Sequence, residues 1–99
     1  MTKEAFIDLI ERMKATAETI NQAYQLKIDL VDFSDQWEQI ITTLLKELFT
    51  EEGYDWICWW VYEDGRKAYE EVGDEVIEVP MDTAEDLYNY LLKEGYIHE

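Results

Sequence analysis

Carboxylates are the chemical group this chain holds in excess: 24 Asp and Glu stand against eight Lys and Arg and a single His in 99 residues, a net charge of −16. Clustered carboxylates can hold a hard cation, pass protons, or present an anionic surface. Cation binding needs ligands at fixed intervals. No stretch fits the D-x-[DN]-x-[DN]-G-x5-E calcium loop, and Asp74, Glu75, Glu78 and Asp82 lack its spacing. Proton transfer in an active site needs an acid, base, nucleophile or cofactor motif that is at least partly legible. His98, the only histidine, stands next to the C-terminal residue, and Cys58, flanked by Ile57 and Trp59, reads as a reduced, buried thiol. The sequence has no G-x-x-x-x-G-K-[ST], no G-x-G-x-x-G and no Cys or His pair at zinc-ligand spacing. The expectation is therefore a protein that is not an enzyme and uses no cofactor and no metal.

An anionic surface remains, and the distribution of charge favours it. Residues 1–46 carry eight carboxylates and five basic groups, whereas residues 47–99 carry sixteen and three, a balance of −13. A small domain stays soluble with a net charge of about 2–8, and a larger excess works against the compact state by self-repulsion. Duplex DNA presents about one charge per 1.7 Å of axis, and much of the affinity of its binders comes from that field. Carboxylates four apart on a helix lie roughly 6 Å apart, and alternate residues of a strand roughly 6.6 Å apart, so a helix and a hairpin can together imitate phosphates. Glu63, Asp64, Glu70, Glu71, Asp74, Glu75, Glu78 and Asp82 are the residues expected to occupy the basic groove of a nucleic-acid-binding protein. The competing reading is that the charge only keeps the protein soluble. Direct nucleic-acid binding is not expected. The four Trp and seven Tyr could form a stacking platform, but such platforms lie beside a basic groove, and the largest basic cluster is Arg66-Lys67. Most aromatics should pack the core, and any left exposed would anchor a protein contact.

The elements that must position these groups follow from periodicity. With 47% apolar residues and one proline the chain is too hydrophobic for disorder, and its length suits one domain. No apolar run approaches the roughly 18 residues of a membrane span, and the N-terminus does not read as a signal peptide, so the cytoplasm is the expected compartment. Phe6, Ile10, Met13, Ala17, Ile20 and Tyr24 form one apolar stripe, predicting a helix from about Thr2 to Gln25. Leu26 to Phe33 reads as a connector. Ser34 is the expected N-cap of a second helix, whose stripe Trp37, Ile40, Ile41, Leu44, Leu45, Leu48 and Phe49 is expected at the centre of the core. Thr50 can cap a further helix with Glu51 and Glu52 in its first turn. Tyr54 to Tyr62 reads either way: its aromatic content favours a strand, whereas its acidic start and length favour a helix with Trp56, Trp59 and Trp60 on one side. Asp64-Gly65 signals a turn, and residues 67–79 around Val72-Gly73-Asp74 predict a short β-hairpin. Thr83 with Asp86 predicts a capped last helix ending at Gly95, after which Tyr96 and Ile97 could dock. The fold class is mainly helical α+β: three or four helices around one core, with one hairpin, over residues 1–99 as a single domain.

The segment Gly53-Tyr54-Asp55-Trp56-Ile57-Cys58-Trp59-Trp60-Val61-Tyr62-Glu63 resembles the G-x-D-W-I-x-W-x-x-Y-E stretch of small acidic bacteriophage-encoded proteins of unknown function. Val72 to Ile77 and Glu85 to Leu91 extend the likeness over about half the chain. The resemblance implies a phage origin and a mainly helical fold with a short hairpin. It implies no activity, because those proteins have no assigned site to carry over. A phage origin would suit a stoichiometric inhibitor of a host defence protein, such as a CRISPR effector or nuclease, acting in the cytoplasm of the bacterial host. The alternative is an acidic phage structural or assembly protein that self-associates through the face of Trp56, Trp59 and Trp60.

Overall fold

A computed structural model describes residues 1–98 of the chain. The elements run α1 (Lys3–Gln25), α2 (Val31–Leu48), α3 (Glu51–Tyr62), β1 (Lys67–Val72), β2 (Glu75–Pro80) and α4 (Ala84–Glu94), which is the mainly helical α+β arrangement the sequence predicts. Thr2 caps α1 by accepting from the Ala5 amide, and the helix ends where Lys27 turns left-handed, φ 61°. The second helix begins three residues before the expected Ser34. Leu30 is its cap position, and the Asp29 Oδ1 accepts from the Val31 amide at 3.1 Å, so an aspartate just outside the helix takes the role expected of the serine.

The stretch that reads two ways is helix α3. Thr50 Oγ1 accepts from the Gly53 amide, and Glu51 and Glu52 sit at the positive end of the helix dipole. These terminal interactions outweigh the strand preference of the aromatics. Gly53 is the third residue of α3, in its capped first turn, and is buried. A Cβ at this position would lie 2.6 Å from the Tyr96 carbonyl oxygen, which accepts from the Thr50 amide at 2.9 Å. The tail thus docks as expected. Phe49 and Ile97 form a bridge, and the His98 amide donates to the Leu48 carbonyl. Helix propensity alone would make Gly53→Ala stabilising by about 1 kcal/mol. The backbone contact reverses the sign, and urea denaturation should show a loss of about 1–3 kcal/mol.

The core joins Phe6, Ile10 and Met13 of α1, Leu45 and Phe49 at the end of α2, Ile57 and Trp60 of α3, Ala68, Met81, and Leu87, Tyr88 and Leu91 of α4. The Phe6 ring lies 5.9 Å from Phe49 and 5.4 Å from Tyr88. The expectation that α2 lies at its centre is overturned. Of its 18 residues only Leu45 is buried, while Ile40 is 65% exposed and Leu44 39%. Tyr24, expected on the buried stripe of α1, is also exposed. The reason is that α2 turns only one edge of its broad stripe inward. Trp37 meets Tyr62 of α3 and half-buried Ile41 and Leu48 border the core, whereas Ile40 and Leu44 each lie about 100° round the helix from Ile41 and Leu45 and face solvent. The molecule measures 52 × 28 × 22 Å.

Candidate acidic interface

The hairpin sets the geometry of the predicted acidic surface. Gly73, at φ 65°, and Asp74 make the two-residue turn, and the register pairs Val72 with Glu75, Glu71 with Val76, Glu70 with Ile77, Tyr69 with Glu78, Ala68 with Val79 and Lys67 with Pro80. Pro80 is therefore the last strand residue, beyond the expected end. Directly opposed residues share a face. Ala68, Glu70 and Val72 lie with Val79, Ile77 and Glu75 on one face, and Lys67, Tyr69 and Glu71 with Pro80, Glu78 and Val76 on the other. The pleat consequently divides the strand carboxylates: Glu70 and Glu75 belong to the face that carries buried Ala68, and Glu71 and Glu78 to the opposite face.

Ion pairs sort the eight predicted residues further. Lys93 of α4 donates to both carboxylate oxygens of half-buried Glu70 at 2.9 Å, fastening the hairpin to the body. Lys67 meets Glu78 at 3.1 Å across the strands, and Arg66 meets Asp64 at 3.2 Å. The Glu70 and Glu78 carboxylates raise the pKa of Lys93 and Lys67 through these hydrogen bonds. Lys3 of α1 reaches Glu85 at 3.0 Å. Every basic residue of the acidic half is thereby committed internally. Glu63, Glu71, Asp74, Glu75 and Asp82 are exposed, and none has a cationic partner among the described residues. Asp82 meets Asp86 through its backbone, its amide donating to Asp86 Oδ2. Exposed Glu51, Glu52 and Asp55 of α3 add to the same unpaired set, although sequence reading assigned the glutamates to helix capping. The structure therefore keeps five of the eight predicted residues as free charge and uses Asp64, Glu70 and Glu78 to hold itself together.

The tryptophans do not form one face. Trp60 is 3% exposed and donates from Nε1 to the Met81 carbonyl at 2.8 Å, with the Arg66 guanidinium 4.0 Å above its ring. Half-buried Trp56 packs edge-on against Trp59 and Tyr90 at 4.9 and 5.0 Å. Trp59, 38% exposed, is the one member of the expected association face that solvent reaches freely. Burial raises the pKa of Cys58, outweighing the opposing hydrogen bond with Tyr54, and Asp55 raises it further. A thiol with less thiolate reacts more slowly. With Ellman's reagent near neutral pH, Cys58 should react about tenfold slower than free cysteine, and 8 M urea should abolish the difference.

No protein family, no curated protein and no solved structure matches this chain. Among the described residues no helix is long and apolar enough to cross a membrane.

Proposed function

We propose that the protein is a stoichiometric inhibitor of a nucleic-acid-binding defence protein of a bacterial host, acting in the host cytoplasm without catalysis. Its hairpin and the adjoining turns offer carboxylates where the target expects phosphates. The observation that carries this reading is the commitment of Arg66, Lys67 and Lys93 to Asp64, Glu78 and Glu70, which leaves Glu63, Glu71, Asp74, Glu75 and Asp82 exposed and uncompensated. A solubility coat needs no such arrangement, because scattered charge serves it as well. The resemblance of residues 53–63 to phage proteins supports the choice of a defence protein, such as a CRISPR effector or nuclease, as the target. The alternative assembly role through a Trp56, Trp59 and Trp60 face has less support, since Trp60 lies in the core.

The test is affinity capture from a bacterial lysate at low salt, followed by competition. A basic nucleic-acid-binding protein should be retained at near-equal stoichiometry and released both by high salt and by its own DNA or RNA. Retention of all basic proteins alike, or of a partner that nucleic acid does not displace, would reject mimicry.

A further inference from the structure

The cleft between α2 and α3 holds chemistry that the acidic surface does not use. On α2, Trp37 and Ile41 stand four apart with Glu38 beside them, and on α3, Tyr54, Cys58 and Tyr62 follow at steps of four, so each helix turns one face toward the other. The two faces do not close. They leave a cleft of about 260 Å³ lined by these six residues and two hydroxyl side chains of α2, where packed helices ordinarily leave few voids larger than a water molecule. The rings of half-buried Trp37 and of Tyr62, 45% exposed, meet at 85° with centroids 6.3 Å apart, which makes them two walls of a corner. Glu38 is exposed and meets no cation among the described residues. No Lys or Arg lines the cleft, since Lys46, whose Nζ lies 6.0 Å from the Tyr54 ring centroid, lines a separate depression beside Thr50. Burial pushes the Tyr62 hydroxyl up to about 12, and Cys58, Tyr54 and Glu38 add to the shift, so the ring carries no charge of its own near neutral pH.

We propose that this cleft binds a small quaternary ammonium compound of the choline class, its alkylated cation seated in the corner of Trp37 and Tyr62 with the Glu38 carboxylate beside it. Aromatic faces carry the negative end of the ring quadrupole and attract a cation within ~6 Å of the centroid, more strongly where water is excluded. Charge selects the ligand. An anion meets no basic group in the cleft and approaches a chain of net charge −16. A primary ammonium would give up strong hydration and bring N–H donors that ring faces satisfy poorly. A quaternary ammonium has no N–H to satisfy, and asks only for ring faces and a nearby counter-charge. Size agrees, because drug-sized ligands occupy roughly 300–1,000 Å³, and the smaller volume here suits a head group. The proposal rests on the α2–α3 cleft alone and stands whether or not the acidic surface inhibits anything.

Titration of the full chain with choline chloride, followed by the NMR signals of the indole and backbone N–H groups, tests it. Sodium chloride at equal ionic strength controls for the general attraction of cations to an acidic protein. Choline should shift the Trp37 indole and the amides around Cys58 and Tyr62 saturably, and its neutral isostere 3,3-dimethylbutan-1-ol should bind at least ~10-fold more weakly. Tyr62→Leu keeps an apolar side chain but removes the ring, and should weaken choline at least ~10-fold. Glu38→Gln, at an exposed position where the fold is not at stake, should weaken it about threefold and leave the isostere unaffected. Equal binding of choline and the isostere, shifts that sodium chloride reproduces, or no saturable shift through the millimolar range overturns the proposal. A trimethyllysine peptide that binds at least ~10-fold tighter than choline would assign the cleft to a modified protein side chain and overturn the free ligand.

Discussion

Reversing Glu71, Asp74, Glu75 and Asp82 together to Lys is expected to leave the fold intact and to slow association with the captured target about 10²–10³-fold at low salt. These four carboxylates are exposed, and none meets a cation among the described residues, so their removal breaks no ion pair of the chain itself. The replacement also relieves self-repulsion, which works in favour of the variant's stability. Glu70 is excluded from the set for a structural reason. A lysine at that position would face Lys93 where a bidentate ion pair now fastens the hairpin, and lost binding would then be confounded with a loosened hairpin. The effect should fall mainly on the association rate, because steering by a field acts before contact, and it should shrink as salt rises. Surface plasmon resonance at two ionic strengths against the purified target separates the rates. Equal association rates for native and reversed proteins at low salt would return the charge to a solubility role. The complementary variant, Glu70→Gln with Lys93→Met, removes an internal pair and should change association less than about twofold, since its net charge is unchanged.

The difference between these two variants marks what was legible in the sequence. Helix termini were readable wherever a side chain within three or four residues closed the cap. Thr83 and Asp86 form the reciprocal capping box, Thr50 caps α3, and Gly95 ends α4 at φ 73°. The hairpin was readable from Gly73. The start of α2 was not, because Ser34 reads as the cap by residue type, whereas the helix begins after Leu30, with Asp29 accepting from the Val31 amide. Burial along α2 was misjudged for a more general reason. Amphipathicity shows that a helix has an apolar face, but it does not say whether the same chain has enough mass to cover it. In the acidic half, a count of charges found the surface but could not say which carboxylates were free. That depends on Lys93 meeting Glu70 from another element and on a pleat that sends Glu70 and Glu71 to opposite faces.

Trp60→Ala should be the most destabilising single substitution at the join between the helices and the hairpin. The indole is buried against the core and supplies two restraints: its Nε1 satisfies the Met81 carbonyl and its ring carries the Arg66 guanidinium, while the Trp60 backbone carbonyl, which alanine would keep, accepts from Arg66 Nη1 at 2.9 Å. The Met81 amide in turn donates to the Arg66 carbonyl at 2.7 Å, so the segments that enter and leave the hairpin close on this one residue. Truncating a buried Trp costs about 3–5 kcal/mol in packing, and an orphaned buried carbonyl adds about 1–3 kcal/mol. A domain of this size has about 5–15 kcal/mol in total, so the variant should be partly unfolded at 37 °C. Trp60→Phe separates the two contributions. It keeps most of the ring volume and the stack with Arg66 but cannot donate to Met81, so it should lose about 1–3 kcal/mol. Guanidinium denaturation followed by circular dichroism measures both. A Phe variant as unstable as the Ala variant would assign the joint to the hydrogen bond, and an Ala variant costing less than about 1 kcal/mol would show that the hairpin is held from the α4 side, through Lys93 and Glu70.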